Sequence, residues 1–359
     1  MESALSRRRF LEFALLSTAG IVAATPDNLL PKPPEFDPGQ LGVNIHLGAL
    51  KWFGLDDASF KKAVDILFSL PFKRVRIPIP LNEVGIKKGS WNFSTTDPLI
   101  ERAVKEDKLI DFQQGIKTIG YPEVKPPRWL IEENPYLLDR GVDITKEEVV
   151  REYIYQYHRA VGERYFGVSN IVTIQAGNEA LSRGLEVTNL RYETWKFNET
   201  EIDLVRSLDP YRRPIVQNVP WDNLLPKAFS RESLDALISV ISSNKIDILG
   251  LTIYNNTQAA DLLWTLVNIV FVASRIVGKP VKILEYQSAP WLNANKEPNF
   301  PFYEKRFHDG LERIKAKRPL SLHFWDVEQI IWRSLRGERE YQRRLNELMN
   351  YFDNDALAA

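Results

Sequence analysis

From residue 41 onward, short runs of apolar and β-branched residues alternate with longer stretches in which apolar residues recur every three or four positions. The first kind of run reads as a strand buried on both faces, the second as an amphipathic helix. Eight strand-like runs fall at residues 41–46, 74–79, 109–118, 171–176, 214–219, 246–254, 281–285 and 320–325. Helical periodicity covers residues 57–70, 98–105, 146–165, 192–207, 231–242, 260–276 and 302–317, with a last helix over 340–352. Such alternation predicts an α/β fold with a parallel sheet, and eight rounds of it predict a single-domain (β/α)₈ (TIM) barrel over residues 41–355. No glycine-rich turn follows the first run, which argues against an open dinucleotide-binding sheet. Residues 262–274 carry no charge, but they are too few to cross a bilayer and Asp261 and Arg275 bound them, so they read as a buried helix.

The pattern before residue 41 is different. Ser6-Arg7-Arg8-Arg9-Phe10-Leu11 precedes an uncharged segment, residues 13–26, that ends in small residues around Ala23-Ala24. A basic region, a short apolar region and a cleavage-like site in that order read as an export signal over residues 1–26. The paired arginines followed by Phe10-Leu11 resemble the twin-arginine type, which implies the export machinery of that route as a partner. Glu12 stands where that motif often has lysine. An ordinary secretory signal or an uncleaved anchor is the alternative, although fourteen uncharged positions fall short of the roughly 20 that span a bilayer. Residues 27–40, rich in proline and without periodicity, read as a linker.

Composition narrows the partners. The 47 basic and 47 acidic side chains cancel, which removes the electrostatic ground for a nucleic-acid partner and favours a neutral or weakly charged substrate. Nine Trp and thirteen Tyr supply faces on which sugar rings stack, although most such residues fill cores. With no cysteine, disulfides and thiolate metal sites are excluded.

In (β/α)₈ enzymes the active site lies at the carboxyl ends of the strands, so polar residues that close strand-like runs are the candidates. The fourth run ends in Asn178-Glu179 and the seventh in Glu285. One carboxylic acid to protonate a leaving oxygen and one carboxylate to attack an anomeric carbon are what glycoside hydrolysis needs. Arg76 in the second run, Tyr254 ending the sixth and Trp325 ending the eighth stand at corresponding positions, and Trp91-Asn92-Phe93-Ser94 with Asp97 precedes a helix. Together these residues resemble the clan A glycoside hydrolases, a barrel superfamily of cellulases, mannanases, β-galactosidases and β-glucosidases, over the whole of the expected barrel. The resemblance implies Glu179 as acid/base, Asn178 as the residue that holds the sugar 2-hydroxyl, Glu285 as nucleophile, and a retaining reaction on β-glycosidic bonds of an oligo- or polysaccharide. It implies no cofactor and no metal. A cation near Glu285 favours the charged form that attacks, and Arg76 is the candidate. Tyr254 could orient the same carboxylate, and Trp325 could floor the sugar at the point of cleavage.

The chain departs from the resemblance around the third and seventh runs. Many members of that superfamily carry a histidine after the third strand, whereas this chain continues Gly115-Ile116-Lys117-Thr118-Ile119. Lys117, Glu123, Gln287 and Trp291 are the candidate sugar contacts in these segments. Two rival functions stay open. A metal-dependent barrel hydrolase needs histidine and aspartate ligands at strand ends, but His46 and His323 stand without a paired histidine. A barrel that binds envelope glycans without cleaving them is the other, and retention of both glutamates speaks against it. The export reading gives one prediction: Arg7→Lys with Arg8→Lys strands the protein in the cytoplasm, checked by cell fractionation, and unchanged export counts against the twin-arginine route.

Overall fold

The computed structural model describes residues 41–45, 56–119, 126–139, 142–179, 194–220, 231–254, 260–287, 300–325 and 327–357. Eight parallel strands follow one another in chain order around a closed barrel: β1 (Leu41–Asn44), β2 (Arg74–Pro78), β3 (Leu109–Gln114), β4 (Ile171–Ala176), β5 (Ile215–Pro220), β6 (Ile248–Tyr254), β7 (Val281–Gln287) and β8 (Ser321–Phe324). This is the (β/α)₈ architecture that the alternation predicts. The helices among the described residues are α1 (Asp57–Ser69), α2 (Leu81–Val84), α3 (Asp97–Lys105), α4 (Arg128–Glu133), α5 (Glu148–Tyr165), α6 (Thr194–Leu208), α7 (Arg231–Ser242), α8 (Ala260–Val277), α9 (Phe300–Lys317), α10 (Val327–Leu335) and α11 (Arg339–Leu357). The export signal, the linker and His46 lie outside the described residues.

Elements that depart from expectation have local causes. The strand expected over 109–118 stops at Gln114 because Gly115 takes φ +134°, a left-handed conformation open to glycine, and turns the chain out of the sheet. The strand expected to end at Glu285 runs on to Gln287. The short helices α2 and α4 complete too few turns for a helical period to register in the sequence, and α10 ends only a few residues before α11, with Gly337 at φ +82° between them. The uncharged stretch at 262–274 lies within α8, whose Leu263, Leu266, Val267 and Val270 are buried. No helix among the described residues is long and apolar enough to cross a membrane.

The chain divides into two compact units, Asp37–Gln217 with His323–Ala359, and Asn218–Leu322. In the first, α5 buries Val150, Tyr153, Ile154, Tyr157, His158, Val161 and Tyr165, a stripe at helical spacing. Tyr165 and Phe166 pack on Phe112 of β3, so Ile110 and Phe112 face the helices while Leu109, Asp111 and Gln113 face the other way. Trp91 stacks on Tyr153 with ring centroids 5.4 Å apart, and Asp97 at the start of α3 accepts two bonds from Arg164 of α5, which accounts for the Trp91-to-Asp97 segment. In the second unit, Leu249, Leu251 and Ile253 of β6 and Ile283 of β7 are fully buried. Each such side chain contributes about 1.5–3 kcal/mol by leaving water.

On the sheet face turned from the helices, the amino-terminal half of the first unit is tied by charge. Asp111 accepts bonds from Arg74 Nε at 3.0 Å and Nη2 at 2.9 Å, pairs with His323 Nε2 at 2.9 Å and accepts from Thr173. Gly42 makes room for this group, since a Cβ there would lie 2.7 Å from the His323 ring. The imidazole of His323 thus lies against the buried Arg74–Asp111 ion pair inside the sheet. Removing one member of a buried pair strands the other charge away from water, at about 3–5 kcal/mol. Asp111→Ala is therefore expected to lower stability by about that amount, measured by chemical denaturation, and a loss under about 1 kcal/mol would refute the account.

Candidate active site

The first unit carries Arg76, Asn178, Glu179, Lys117 and Trp325. Arg76 follows Arg74 by two residues and so lies on the same face of β2, as the strand period requires. Its guanidinium is almost fully buried and is surrounded by amide oxygens: Nε donates to Gln175 Oε1 at 3.0 Å, Nη1 to Asn44 Oδ1 at 3.1 Å and Nη2 to Asn178 Oδ1 at 2.8 Å. Gln175 Nε2 also reaches Asn178 Oδ1, at 3.4 Å. With that oxygen engaged, the NH₂ group of Asn178 is directed away from Arg76. Asn44 in turn donates to the carbonyl of Phe324 at 3.2 Å, which ties β1 to the residue before half-buried Trp325.

Glu179 is 4% exposed and takes φ +45°. A non-glycine residue held in left-handed backbone costs on the order of 1–3 kcal/mol and persists only where its surroundings enforce it. Several contacts do so here. Gly177 N–H donates to the Gln114 carbonyl at 2.6 Å, Asn178 N–H donates to the Lys117 carbonyl at 2.8 Å, and Lys117 Nζ donates to the Glu179 carbonyl at 3.1 Å. Lys117 is fully buried in this arrangement, with its ammonium on the backbone of Glu179. The ends of β3 and β4 come unusually close: a Cβ on Gly115 would lie 2.6 Å from Gly177 N and 2.8 Å from its Cα.

The second unit carries Glu285, Tyr254 and Gln287. Leu251 pairs with Ile283 and Thr252 with Glu285, which leaves Leu284 as an extra residue in β7. This β-bulge reverses the alternation of side chains. Lys282, opposite Gly250, and Glu285, opposite Thr252, consequently share one face; with unbroken alternation from Lys282 onward Glu285 would face the helices. Tyr286 does face them, its hydroxyl donating to the carbonyl of Phe307 in α9 at 2.5 Å. Gly250 accommodates the bulge, because a Cβ there would lie 2.5 Å from Leu284 Cδ1. Tyr254 Oη donates to Glu285 Oε2 at 2.6 Å, a short hydrogen bond that orients the carboxyl group. Gln287, opposite Tyr254, shares the face of Glu285 and is buried.

The structure thus brings Arg76 to Asn178, Lys117 to Glu179, and Tyr254 to Glu285. Glu123 and Trp291 lie outside the described residues. Sequence reasoning passed over Asn44 and Gln175, which orient Arg76, and over Glu201 and Asn198 of α6, which hold the loop after β3 and the end of β4. Asn44 and Gln175 could have been found by strand parity, since each stands on the polar face of its own strand. No sequence signal marks a helix residue such as Glu201.

No protein-family model and no curated protein sequence matches the chain. Solved structures do. An exo-β-1,4-mannosidase from Opitutaceae bacterium strain TAV5 superimposes with a TM-score of 0.56 at 11% identity, over 82% of this chain and 52% of that one. A xylanase from Paenibacillus barcinonensis gives 0.53 at 13% identity, over 81% of this chain and 86% of its own. A β-galactosidase from the Antarctic haloarchaeon Halorubrum lacusprofundi gives 0.54 at 13%, over 80% of this chain and 52% of that one. The likeness is one of fold. This chain spans about half the length of the mannosidase and the galactosidase, so what it shares with them is the barrel.

The contact between β3 and β4 generates a prediction. Gly115→Ala places a side chain against the Gly177 backbone in a left-handed conformation. It is expected to cost at least about 1–3 kcal/mol, read by denaturation, and a neutral result would refute the close approach.

Proposed function

We propose that this chain is a retaining glycosidase, exported from the cytoplasm, that cleaves β-glycosidic bonds of an oligo- or polysaccharide with Glu285 as nucleophile and Glu179 as acid/base. The observation that carries the reading is the preparation of Glu285: a bulge turns it to the polar face of the sheet, and Tyr254 fixes its carboxylate at 2.6 Å, near the carboxyl end of a barrel strand. The strained and buried Glu179 after β4, beside an asparagine oriented by Arg76, supports the second role. The mannosidase, xylanase and galactosidase that share the fold support the reaction class.

In this reading the Glu285 carboxylate attacks the anomeric carbon while the Glu179 carboxylic acid gives its proton to the departing glycosidic oxygen. A covalent glycosyl-enzyme and a free alcohol result. Glu179, now a carboxylate, takes a proton from water as the water oxygen attacks the same carbon. Glu285 leaves as a carboxylate, Glu179 is again protonated, and two inversions give net retention. Asn178 directs its NH₂ toward a sugar hydroxyl, Trp325 stacks on the ring, and Gln287 contacts the substrate from the Glu285 side.

The test is a screen of purified protein against aryl β-glucosides, mannosides, xylosides and galactosides, following the first-formed anomer by NMR. Glu285→Ala is expected to abolish turnover and azide to restore it as the α-glycosyl azide; a β-azide from this variant would mean the roles are exchanged. Glu179→Ala is expected to keep activity only on glycosides with very good leaving groups, because protonation is dispensable there. Inactivity of the wild type on every class would refute the reading.

A further inference from the structure

Resting on that reading, we propose that Asn198 and Glu201 of α6, with His158 of α5, are positioning residues that hold Glu179 where it can protonate the leaving group. Asn198 and Glu201 lie three residues apart and so share one face of α6. Both are fully buried, as is His158. Asn198 Nδ2 donates to the carbonyl of Ala176, the last residue of β4. Glu201 Oε1 accepts from the Ile116 N–H at 3.0 Å and pairs with His158 Nε2 at 3.1 Å. One helix face therefore holds the end of β4 and the loop after β3 together.

From these anchors the path to Glu179 is short. Ile116 is followed by Lys117, whose carbonyl accepts from Asn178 N–H and whose ammonium donates to the Glu179 carbonyl. The far end of the loop is fixed as well, the Ile119 N–H donating to Gln113 Oε1 at 3.1 Å. The loop has few alternatives in reaching this shape, because a Cβ on Gly115 would also lie 3.1 Å from Glu201 Oε1. A carboxylate and an imidazole between helix and sheet are expensive neighbours for Ile202, Val205 and Val161, all fully buried, and an apolar pair would pack there at lower cost. Holding a backbone turn in an unfavourable conformation is something an apolar pair cannot do.

A misplaced acid/base harms the step that needs its proton and spares the step that does not. The experiment compares wild type, Glu201→Ala and Glu201→Gln on two aryl β-glycosides of the same sugar, one with a phenyl and one with a dinitrophenyl leaving group. Glu201→Ala is expected to lower kcat/KM tenfold or more for the phenyl glycoside and less than threefold for the dinitrophenyl glycoside. Glu201→Gln, which keeps an acceptor for the Ile116 N–H, is expected to recover most of the loss. Equal loss on both substrates at equal folded fraction would mean a merely structural role, and no loss on either would mean no role; each overturns the proposal. The sugar is one on which the wild type turns over; a wild type inactive on every sugar class of the screen overturns the glycosidase reading itself. If Glu201→Ala does not fold, His158→Leu, which removes one donor to Glu201 and leaves the Ile116 bond, takes its place under the same criteria.

Discussion

A guanidinium inside a sheet has no water to stabilise it, so side chains must take the place of solvent. Arg76 sets this requirement on β2, and amide oxygens from Gln175, Asn44 and Asn178 meet it. The orientation of Asn178 follows, because its oxygen is committed to Arg76 and its NH₂ is turned away from it. So does the tie between β1 and the strand before Trp325, since Asn44 uses its oxygen on Arg76 and its amide on Phe324. Farther toward the strand starts the same solution recurs with a full charge, where Arg74 is met by Asp111. Barrel interiors are more often filled by branched apolar side chains. Polar filling of this kind loses stability relative to apolar packing but gives each side chain one orientation.

Both proposed catalytic carboxylates depend on an irregular backbone, and the irregularities differ. Glu285 reaches the polar face because Leu284 is an extra residue in β7, with Gly250 leaving the space. Glu179 is aimed by a left-handed residue just past the end of β4. The bulge is stabilised within its own strand pair. The left-handed turn is not, and its support comes from Lys117, from the Gly115–Gly177 approach and from α6 behind them.

The fold was legible in the sequence because the helix-facing side of each strand is apolar and often β-branched, and the intervening helices are long enough to show their period. Glu179 and Glu285 stood out as candidates because strand ends are where chemistry gathers in such barrels. What escaped was whatever depends on contacts between distant segments. The bulge in β7 could not be read, since Val281-Lys282-Ile283-Leu284 looks like a regular strand and only its register with β6 reveals the extra residue. The end of β3 at Gln114 was missed because Ile116 and Ile119 continue an apolar pattern, although Gly115 supplied the conformational reason to stop. Lys117 read as a candidate sugar contact, whereas its burial and its bond to the Glu179 carbonyl exist only once β3 and β4 are side by side. The polar face was half visible: Arg74 and Arg76 mark it on β2, but nothing in either residue names its partners.

These features suggest where such a barrel tolerates change and where it does not. On the helix side of the sheet, residues such as Ile110, Ile174 and Leu251 are apolar and interchangeable in kind, so substitution there is limited by volume. On the other side the bonds of Arg74, Arg76 and Asp111 are specified partner by partner, and losing one leaves a buried donor or acceptor unmet. The irregular turns sit at the junction of the two regimes. At Glu179 the backbone conformation is opposed by its own sterics and favoured only by its neighbours, so its population depends on all of them at once. A change in α6 can then alter the direction of the Glu179 carboxyl group by letting the loop after β3 relax.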